Sequence, residues 1–295
     1  MVFVRKRLVG GSIQYYLEQS FRMDGTVKKH EKYIGPALPK NIEELKRRFV
    51  REVRAELWHP RLDKIKKGFA AERRTFPSSI REKTIQEFTV RFTYDTQRIE
   101  GSTLTLRETA DLLDRALTPR ERPVSDVLEA QAHQSVFRGM LEYRKDLSFQ
   151  LLLEWHHNLF SRTKADIAGK LRHFQVYISG AKHVPPGPVE VHPLLMDMLR
   201  WYDRNKGNLH AVELAATMHL KFESIHPFGD GNGRVGRILM NFILHRKGWP
   251  MLNIPYNDRR GYYNALERSQ VKQDEDVFIH WFFRRYLKEN GRYLR

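Results

Sequence analysis

Residues 213–247 constrain the fold of this chain more than any other segment. Their first part carries apolar side chains at steps of three and four, which is typical of a helix with one buried face. These side chains are Leu214, Met218, Phe222 and Ile225. The letters HPFGDGNGRVGR follow, in which Pro227 ends the helix and the glycines permit a tight loop. The next letters, ILMNFILH, are apolar enough for a second, fully buried helix.

Helical patterns also account for most of the chain after residue 77. Ser78 or Ser79 can cap a helix that Gly101 then ends. Further helices are predicted at about 105–116, 125–144, 148–162, 190–204 and 209–225. Residues 175–179 have the composition of a strand, and residues 185–188 (PPGP) that of an exposed loop. The fold class predicted from these patterns is mainly α.

The first 75 residues follow a different pattern. Three β-prone segments separated by the turn dipeptides Gly10-Gly11 and Asp24-Gly25 predict a small antiparallel sheet. The segments are Val2–Leu8, Ile13–Phe21 and Thr26–Ile34. Two highly charged helices are then predicted, from about Ile42 to Trp58 and from Arg61 to Arg74.

Positive charge is concentrated at this end of the chain. The 295 residues carry 52 Lys and Arg against 35 Asp and Glu, and residues 1–84 hold +11 of the formal net charge of +17. A basic sheet with Tyr15, Tyr16 and Tyr33 can bind nucleic acid through backbone contacts and stacking. The alternative is the solvated face of a capping hairpin, which is favoured because no known nucleic-acid reader motif is present.

Composition excludes several classes of site. The chain has no cysteine, which excludes disulfides, zinc sites built on thiolates and a cysteine nucleophile. No apolar run approaches the roughly 20 residues needed to span a bilayer, and the N-terminal letters lack a signal-peptide core. These features predict a soluble, cytoplasmic protein without membrane contact.

The glycine loop has the features of an anion site. A helix N-terminus offers unpaired N–H groups, and Arg234 and Arg237, three residues apart, can both reach phosphate oxygens. Asp230 can hold Mg²⁺ beside a phosphate, and a neutral His226 can accept a proton. The glycines formally match a dinucleotide fingerprint, but a helix rather than a strand precedes them. A calcium loop is excluded because its later acidic ligands are missing, and a structural role for the histidine is the remaining alternative.

The loop resembles the signature of the Fic family. Residues 226–237 match HPFx(D/E)GNGRxxR at every specified position, and the resemblance extends over about residues 85–285. Members of this family have a helical bundle with a β-hairpin flap. Most transfer AMP from ATP to a Ser, Thr or Tyr hydroxyl of a target protein, although relatives of the fold transfer other groups.

The resemblance implies a role for each residue of the loop. His226 would be the general base, and Asp230 would bind Mg²⁺. The anion hole would be lined by Gly231, Asn232 and Gly233, with the Asn232 side chain taking part in catalysis. Arg234 and Arg237, with Val235 and Gly236 between them, would complete the nucleotide site. The adenine and ribose would contact Tyr262, Tyr263 and Gln270, although core packing is an alternative for the two tyrosines. The flap that positions the target would comprise Ile178, Ser179, Gly180, Ala181, Lys182, His183 and Val184.

A second motif indicates regulation. Residues 96–101 (TQRIEG) resemble the family's inhibitory motif (S/T)xxxE(G/N), with Thr96, Glu100 and Gly101 at its specified positions. A carboxylate in the last turn faces the negative end of the helix dipole, which is unfavourable by a few tenths to about 1 kcal/mol. We therefore expect a cationic partner for Glu100, and Arg237 is the candidate. Glu100 would then keep ATP in an unproductive position, as in family members with an N-terminal inhibitory helix.

These observations predict an autoinhibited protein adenylyltransferase that uses ATP and Mg²⁺ on an unidentified target, which could be the protein itself. The alternatives are a different nucleotide donor, a main activity of AMP removal, or a nucleic-acid-binding protein with a nucleotide-sensing core. The expected parts are a basic accessory element (1–75), an inhibitory-helix region (76–120) and a catalytic core with C-terminal helices (121–295). Family members often form homodimers, so this state is also expected.

Overall fold

The structure is a computed structural model that describes residues 2–23 and 26–294. The chain forms two compact units, residues 1–64 and 65–295. The first unit contains an antiparallel sheet in the order β1-β2-β3. Its strands are β1 (Phe3–Val9), β2 (Ser12–Met23) and β3 (Thr26–Gly35). Gly10 and Gly11 connect β1 to β2 with positive φ angles of 58° and 79°, as predicted. The predicted second turn, Asp24-Gly25, lies outside the described residues.

The helix that follows the sheet is continuous, whereas two helices were predicted. Helix α1 runs through Ile42–Thr75 with Pro60 inside it, so the boundary between the two units lies within this helix. A proline removes one helical hydrogen bond, but buried apolar side chains flank it on both sides. They are Trp58, Leu62 and Ile65, each 3% exposed or less. Their burial offsets the lost hydrogen bond and keeps the helix intact.

Most charges on one face of the sheet are paired with each other. Glu18 and Glu31 lie within salt-bridge distance of Arg7 and Lys29, and Glu18 also lies 3.5 Å from Arg5. These pairs place two carboxylates among the basic side chains of this face, and each basic side chain named here has a carboxylate partner. The structure therefore gives that alternative no support.

The second unit is helical, which confirms the predicted mainly α fold class. Its helices are α2 (Ser78–Ile99), α3 (Leu106–Arg115), α4 (Val124–Glu142), α5 (Phe149–Phe160), α6 (Pro188–Asn205), α7 (Ala211–Ile225), α8 (Asn232–Arg246), α9 (Arg259–Lys272) and α10 (Glu275–Glu289). Short 3-10 helices lie at Tyr256–Asp258 and Gly291–Leu294. Within the described residues, no helix is both long enough and apolar enough to cross a membrane.

Helices α7 and α8 form the centre of this unit. Helix α7 packs against α6, α8 and α10, while α8 also contacts α2, α4 and α5. Nearly every residue of α7 and α8 is buried, which was predicted for α8, whereas the spacing in α7 predicted one buried face. Because both helices are fixed on several sides, the loop between them is held by the rigid core.

Two local predictions were wrong. Helix α2 is preceded by Pro77 at its N-cap without a side-chain capping bond, so neither Ser78 nor Ser79 caps it. The proline ring sets the extended entry that a cap residue needs, and the serines occupy the first helical positions. Likewise, Pro188 belongs to α6 and Pro185 is buried, so residues 185–188 are not an exposed loop.

The flap differs more from its prediction than these two segments do. Residues 170–187, here called the flap segment, contain no strand, whereas a β-hairpin with a strand at 175–179 was predicted. Gly180 forms the expected turn, with a φ of 74° and an Ala181 N–H to Ile178 carbonyl bond of 3.1 Å. Side chains rather than a strand ladder hold the two halves together. Gln175 Nε2 donates to the Pro185 carbonyl at 3.0 Å, and prolines in the returning half cannot donate to a ladder.

Candidate functional site

His226 lies at the C-terminal end of α7 in a left-handed backbone conformation, with φ 51° and ψ 62°. This conformation costs a non-glycine residue about 1–3 kcal/mol and persists only where its surroundings impose it. The His226 N–H donates to the Phe222 carbonyl at 2.9 Å, and the His226 carbonyl accepts from Arg172 Nε at 2.8 Å. Burial lowers the pKa of His226 to about 4. The imidazole is therefore neutral at pH 7 and can accept a proton.

Asn232 holds the turn of the loop closed. Its side chain accepts from the Phe228 N–H at 2.8 Å and donates to the Phe228 carbonyl at 2.9 Å. His156 stacks on the Phe228 ring and accepts from the Gly169 N–H through Nδ1, so its Nε2 donates to the Asp230 carbonyl at 3.0 Å. These contacts fix the main chain on both sides of the predicted metal-binding residue.

The N-terminus of α8 begins directly after this turn. Gly231 is its N-cap with a φ of 78°, and a Cβ atom there would lie 2.2 Å from the Phe160 ring. Any larger residue would clash with this ring, so packing explains why position 231 is a glycine. The N–H groups of the next three residues have no acceptor within the helix, which makes this end suited to an anion.

Asp230 is paired with two cations. Lys164 Nζ lies 2.5 Å from Oδ2 and Arg234 Nη2 lies 3.3 Å from Oδ1. Burial alone would raise the pKa of Asp230, but the two cations outweigh it and hold the pKa below its usual value. The carboxylate is therefore ionised at pH 7. Within the described residues, no group of three or more His, Asp or Glu side chains is arranged as a metal site.

Arg234 is buried and binds protein groups. Its Nη1 donates to the Glu129 carboxylate and, at 3.2 Å, to Gln97 Oε1. Its guanidinium also lies over the Phe160 ring, 4.4 Å from the centroid. Arg234 thus connects α8 to α2 and α4, in addition to any role at the anion site.

Arg237 forms the ion pair that the sequence predicted. Its Nη2 lies 2.6 Å from Glu100 Oε1, and its Nε donates to Thr96 Oγ1 at 2.8 Å. Arg237 is 1% exposed, whereas the Glu100 side chain is 24% exposed. Burial would lower the pKa of Arg237, but Glu100 keeps it above its ordinary value. A Cβ atom on Gly233 would lie 2.3 Å from Glu100 Oε1, so the carboxylate sits directly against the first turn of α8.

A buried acid, which the sequence did not indicate, lies close to His226 on α7. Glu223 Oε2 lies 3.9 Å from His226 Nδ1, one helical turn earlier on α7. Burial raises the pKa of Glu223 to about 8, so it is mostly protonated at pH 7. Beside it, His219 Nε2 shares a hydrogen bond of 2.8 Å with the Tyr262 hydroxyl.

Replacing Glu223 with glutamine should stabilise the protein at high pH and have little effect at low pH. Between about pH 4.5 and 8 the folded protein keeps a proton that the unfolded chain releases. The stability from this proton is present below pH 4.5 and is lost as pH rises through 8. We expect the melting temperature of Glu223→Gln relative to wild type to rise by roughly 5 °C between pH 6 and pH 9.

Thermal denaturation at both pH values tests this prediction. Glu154→Gln is the matched control because Glu154 is exposed on α5. If the melting temperatures of wild type and Glu223→Gln change by the same amount between pH 6 and pH 9, the prediction is contradicted.

The residues predicted to contact adenine and ribose occupy different environments. Tyr262 is 1% exposed and lies in the core, which matches the packing alternative, whereas Tyr263 is 43% exposed. Gln270 donates to Ser224 Oγ at 3.3 Å and, with His183 of the flap segment, lines a cavity of about 600 Å³ between α6, α7 and α9. Val235 and Gly236 are buried in α8.

The predicted flap residues lie beside α7 and α9. The Lys182 N–H donates to Glu267 Oε1 at 2.7 Å, and His183 Nε2 lies 3.1 Å from the Ser224 carbonyl oxygen. Ser179, Gly180 and Val184 are exposed, and Ile178 and Ala181 are half-buried. Gly101 has a φ of 99° and follows the end of α2, as predicted.

Comparison with known proteins places this site in a family. A model of the Fic/DOC family matches residues 146–244. The protein adenylyltransferase Fic of Drosophila yakuba is 34% identical over 178 residues, which cover 59% of this chain and 36% of that protein. The protein of the same name from Drosophila melanogaster is 33% identical with the same coverage. This chain spans about a third of the length of these curated relatives.

Solved structures agree on the fold. Fic-1 from C. elegans superposes with a TM-score of 0.72 at 25% identity, covering 86% of this chain and 77% of that one. A Fic domain containing signaling protein from Bacteroides thetaiotaomicron has a TM-score of 0.72 at 24% identity, with coverage of 79% and 95%. Residues 146–244 include α7, the glycine loop and most of α8. The part of the chain that matches the Fic/DOC family therefore includes the loop from His226 to Arg237.

Proposed function

We propose that this chain is a protein adenylyltransferase that transfers AMP from ATP to a hydroxyl group of a target protein. The observation that carries the proposal is the Glu100 carboxylate beside Arg237, at the start of α8. A negative group already lies where we place a terminal phosphate of ATP. The names of the Drosophila relatives agree with this activity.

The residues of the loop divide the reaction between them. The hydroxyl oxygen of the target attacks the α-phosphorus, pyrophosphate leaves, and the hydroxyl proton passes to His226. The lowered pKa of His226 leaves its imidazole neutral and able to take this proton. N–H groups at the start of α8 stabilise the charge that develops on the phosphate oxygens. The flap segment positions the target chain beside the loop.

Asp230 fits the role of the Mg²⁺ ligand. Mg²⁺ on a nucleotide needs one or two carboxylates, with phosphate oxygens and water completing its shell, and Asp230 is ionised and 41% exposed. When bound, the ion neutralises phosphate charge in the transition state. Lys164 is the nearer of the two cations paired with this carboxylate, so it must move for the metal to bind.

Replacing Lys164 with methionine should therefore strengthen metal binding. Both partners are partly exposed, so the pair contributes about 1 kcal/mol or less. We expect the half-saturating Mg²⁺ concentration to fall about two- to fivefold. Mn²⁺ binding in the presence of a non-hydrolysable ATP analogue, followed by electron paramagnetic resonance, gives a readout that does not depend on transfer. Lys170→Met is the control, since Lys170 is exposed and donates to the Asp166 carbonyl rather than to Asp230. Unchanged metal binding in Lys164→Met would contradict the prediction.

We also propose that the Glu100–Arg237 pair inhibits the enzyme. While Glu100 occupies Nη2 of Arg237, this guanidinium cannot bind the terminal phosphate of ATP in the same way. ATP is then held in a position that does not favour attack on the α-phosphorus. Release of Glu100 activates transfer.

The transfer reaction itself is tested with labelled nucleotides. The full chain and its Glu100→Gly variant are incubated with Mg²⁺ and α-labelled ATP, GTP, CTP or UTP, with and without a cell lysate. Label from ATP on the protein or on a lysate protein supports the proposal. Label from another nucleotide, and not from ATP, would show that this other nucleotide is the donor. Loss of AMP from an already modified protein, without any transfer, would indicate the reverse reaction as the main activity.

A further inference from the structure

Arg172 is a buried cation whose hydrogen-bond partners, among the described residues, are main-chain carbonyl oxygens. It is 3% exposed and lies at the start of the flap segment. Burial lowers the pKa of Arg172 from its ordinary value. A buried charge is retained only where its surroundings compensate for lost hydration. The carbonyl groups at the C-terminal end of α7 provide this compensation, because the negative end of a helix dipole attracts a cation.

Arg172 contacts three consecutive residues at the junction of α7 and the glycine loop. Its Nε donates to the His226 carbonyl at 2.8 Å, and its Nη2 donates to the Ile225 carbonyl at 3.3 Å. The N–H group of Arg172 donates to the Pro227 carbonyl at 3.0 Å. These bonds fix the main chain before, at and after His226. They are therefore part of what imposes the left-handed conformation on His226.

The same guanidinium also holds both halves of the flap segment. Nη1 donates to the Phe174 carbonyl at 3.2 Å, and Nη2 donates to the Pro186 carbonyl at 2.6 Å. Phe174 lies in the outgoing half and Pro186 in the returning half. Because this segment has no strand ladder, the distance between its halves depends on such side-chain bonds.

We propose that Arg172 is a positioning residue that couples the flap segment to the imidazole of His226. It fixes the distance between the surface that presents the target hydroxyl and the base that takes its proton. This inference rests on the proposed function for its kinetic consequence, but its structural content does not. An arginine suits the role because its planar guanidinium donates in several directions at once, whereas a lysine ammonium is a single point.

Arg172→Lys tests the proposal because it keeps the positive charge and removes the planar guanidinium with its several donors. In the Glu100→Gly background we expect kcat to fall about 10- to 100-fold, since a displacement of about 1 Å at a reacting group has effects of this size. The KM for ATP should change less than about threefold, because phosphate binding relies on α8. Amide hydrogen exchange in residues 173–186 should accelerate at least about tenfold. The His226 pKa, measured by NMR titration, should rise from about 4 towards its ordinary value as water enters.

Arg285→Lys is the matched control. Arg285 is also buried, but it bonds the carboxylates of Asp258, on the 3-10 helix before α9, and of Glu289, on α10. It should leave exchange in the flap segment and the His226 titration unchanged. Arg172→Lys with wild-type exchange and wild-type titration would overturn the proposal.

Two further outcomes remain decisive. If Glu100→Gly alone transfers no nucleotide, the proposed function fails, and the exchange and titration results still decide the role of Arg172. If Arg172→Lys does not fold, the wild-type protein provides the test through the Nε–H proton of Arg172. Its bond to the His226 carbonyl should protect this proton from exchange with water, and rapid exchange would overturn the proposal.

Discussion

Replacing Glu100 with glycine should raise the rate of AMP transfer by about 10- to 100-fold. Hydrogen bonds to charged groups contribute about 1.5–3 kcal/mol, and each 1.36 kcal/mol corresponds to a factor of ten in rate. The bond from Arg237 Nη2 to Glu100 Oε1 is of this kind and is partly buried. Its removal frees Nη2 for the terminal phosphate of ATP. Initial rates with α-labelled ATP measure the effect.

The geometry around Arg237 explains why the variant should be active rather than disordered. The bond from Nε to Thr96 Oγ1 remains, so the guanidinium keeps its orientation on α8. The space beside Gly233 that the carboxylate occupied becomes available to a phosphate oxygen. Glu100→Gln should give an intermediate rate, because the amide oxygen can still accept from Nη2 without the negative charge.

A control variant and a measurement of ATP binding make this prediction specific to Glu100. Glu142→Gly is the control, because Glu142 is the exposed last residue of α4 and the substitution removes a carboxylate from a comparable helix end. It should leave the transfer rate unchanged. Glu100→Gly protein that binds ATP but transfers no faster than wild type would exclude the inhibitory role of Glu100.

Sequence reasoning was most successful where the chemistry is local. The glycine loop, its two buried helices and the histidine within it lie in one stretch of 35 residues, so spacing alone predicts their arrangement. The partnership of Glu100 with Arg237 spans the chain, but a short motif and an unfavourable helix-end charge both indicated it. The structure contains this ion pair.

Residues whose roles depend on packing were not predictable in this way. Glu129, Lys164 and Glu223 are ordinary charged residues on helices or turns, and only the fold brings them to the loop. A partial signal existed for Glu223, since an acid on an almost wholly buried helix requires an explanation. The role of Arg172 had no such signal, because its carbonyl partners carry no side-chain signature.

The errors have similar causes. The helix break between Trp58 and Arg61 and the strand at 175–179 were both predicted from intrinsic preferences. Burial on both sides of Pro60 kept α1 continuous. At 175–179, the returning half of the segment contains Pro185 and Pro186, which cannot provide a ladder of donors. Tertiary packing thus overrode local propensity in the first case, and the absence of a suitable partner strand did so in the second.

Removing the imidazole of His226 should reduce transfer by about 10²- to 10⁴-fold, the range in which a general base contributes. The backbone of this residue complicates a simple alanine substitution, because its φ of 51° is unfavourable for alanine. Asparagine tolerates this conformation better, so His226→Asn removes the base with less backbone strain. Equal losses in both variants, with ATP affinity retained, would assign the effect to the imidazole. A variant of either kind that retains more than about a tenth of the activity would contradict a role as general base.

The pH dependence provides a second, independent expectation for His226. A base acts only when unprotonated, and burial lowers the pKa of His226 to about 4. An ordinary histidine, with a pKa near 6.5, would lose about 90% of its base form on going from pH 8 to pH 5.5. Transfer by Glu100→Gly should therefore stay nearly constant over that interval and decline only as pH approaches about 4 to 5. Removal of Glu100 acts in the same direction, because its negative charge raises the pKa of His226. A decline centred near pH 6.5 would show that the base is solvated during turnover, in conflict with the buried loop that positions it.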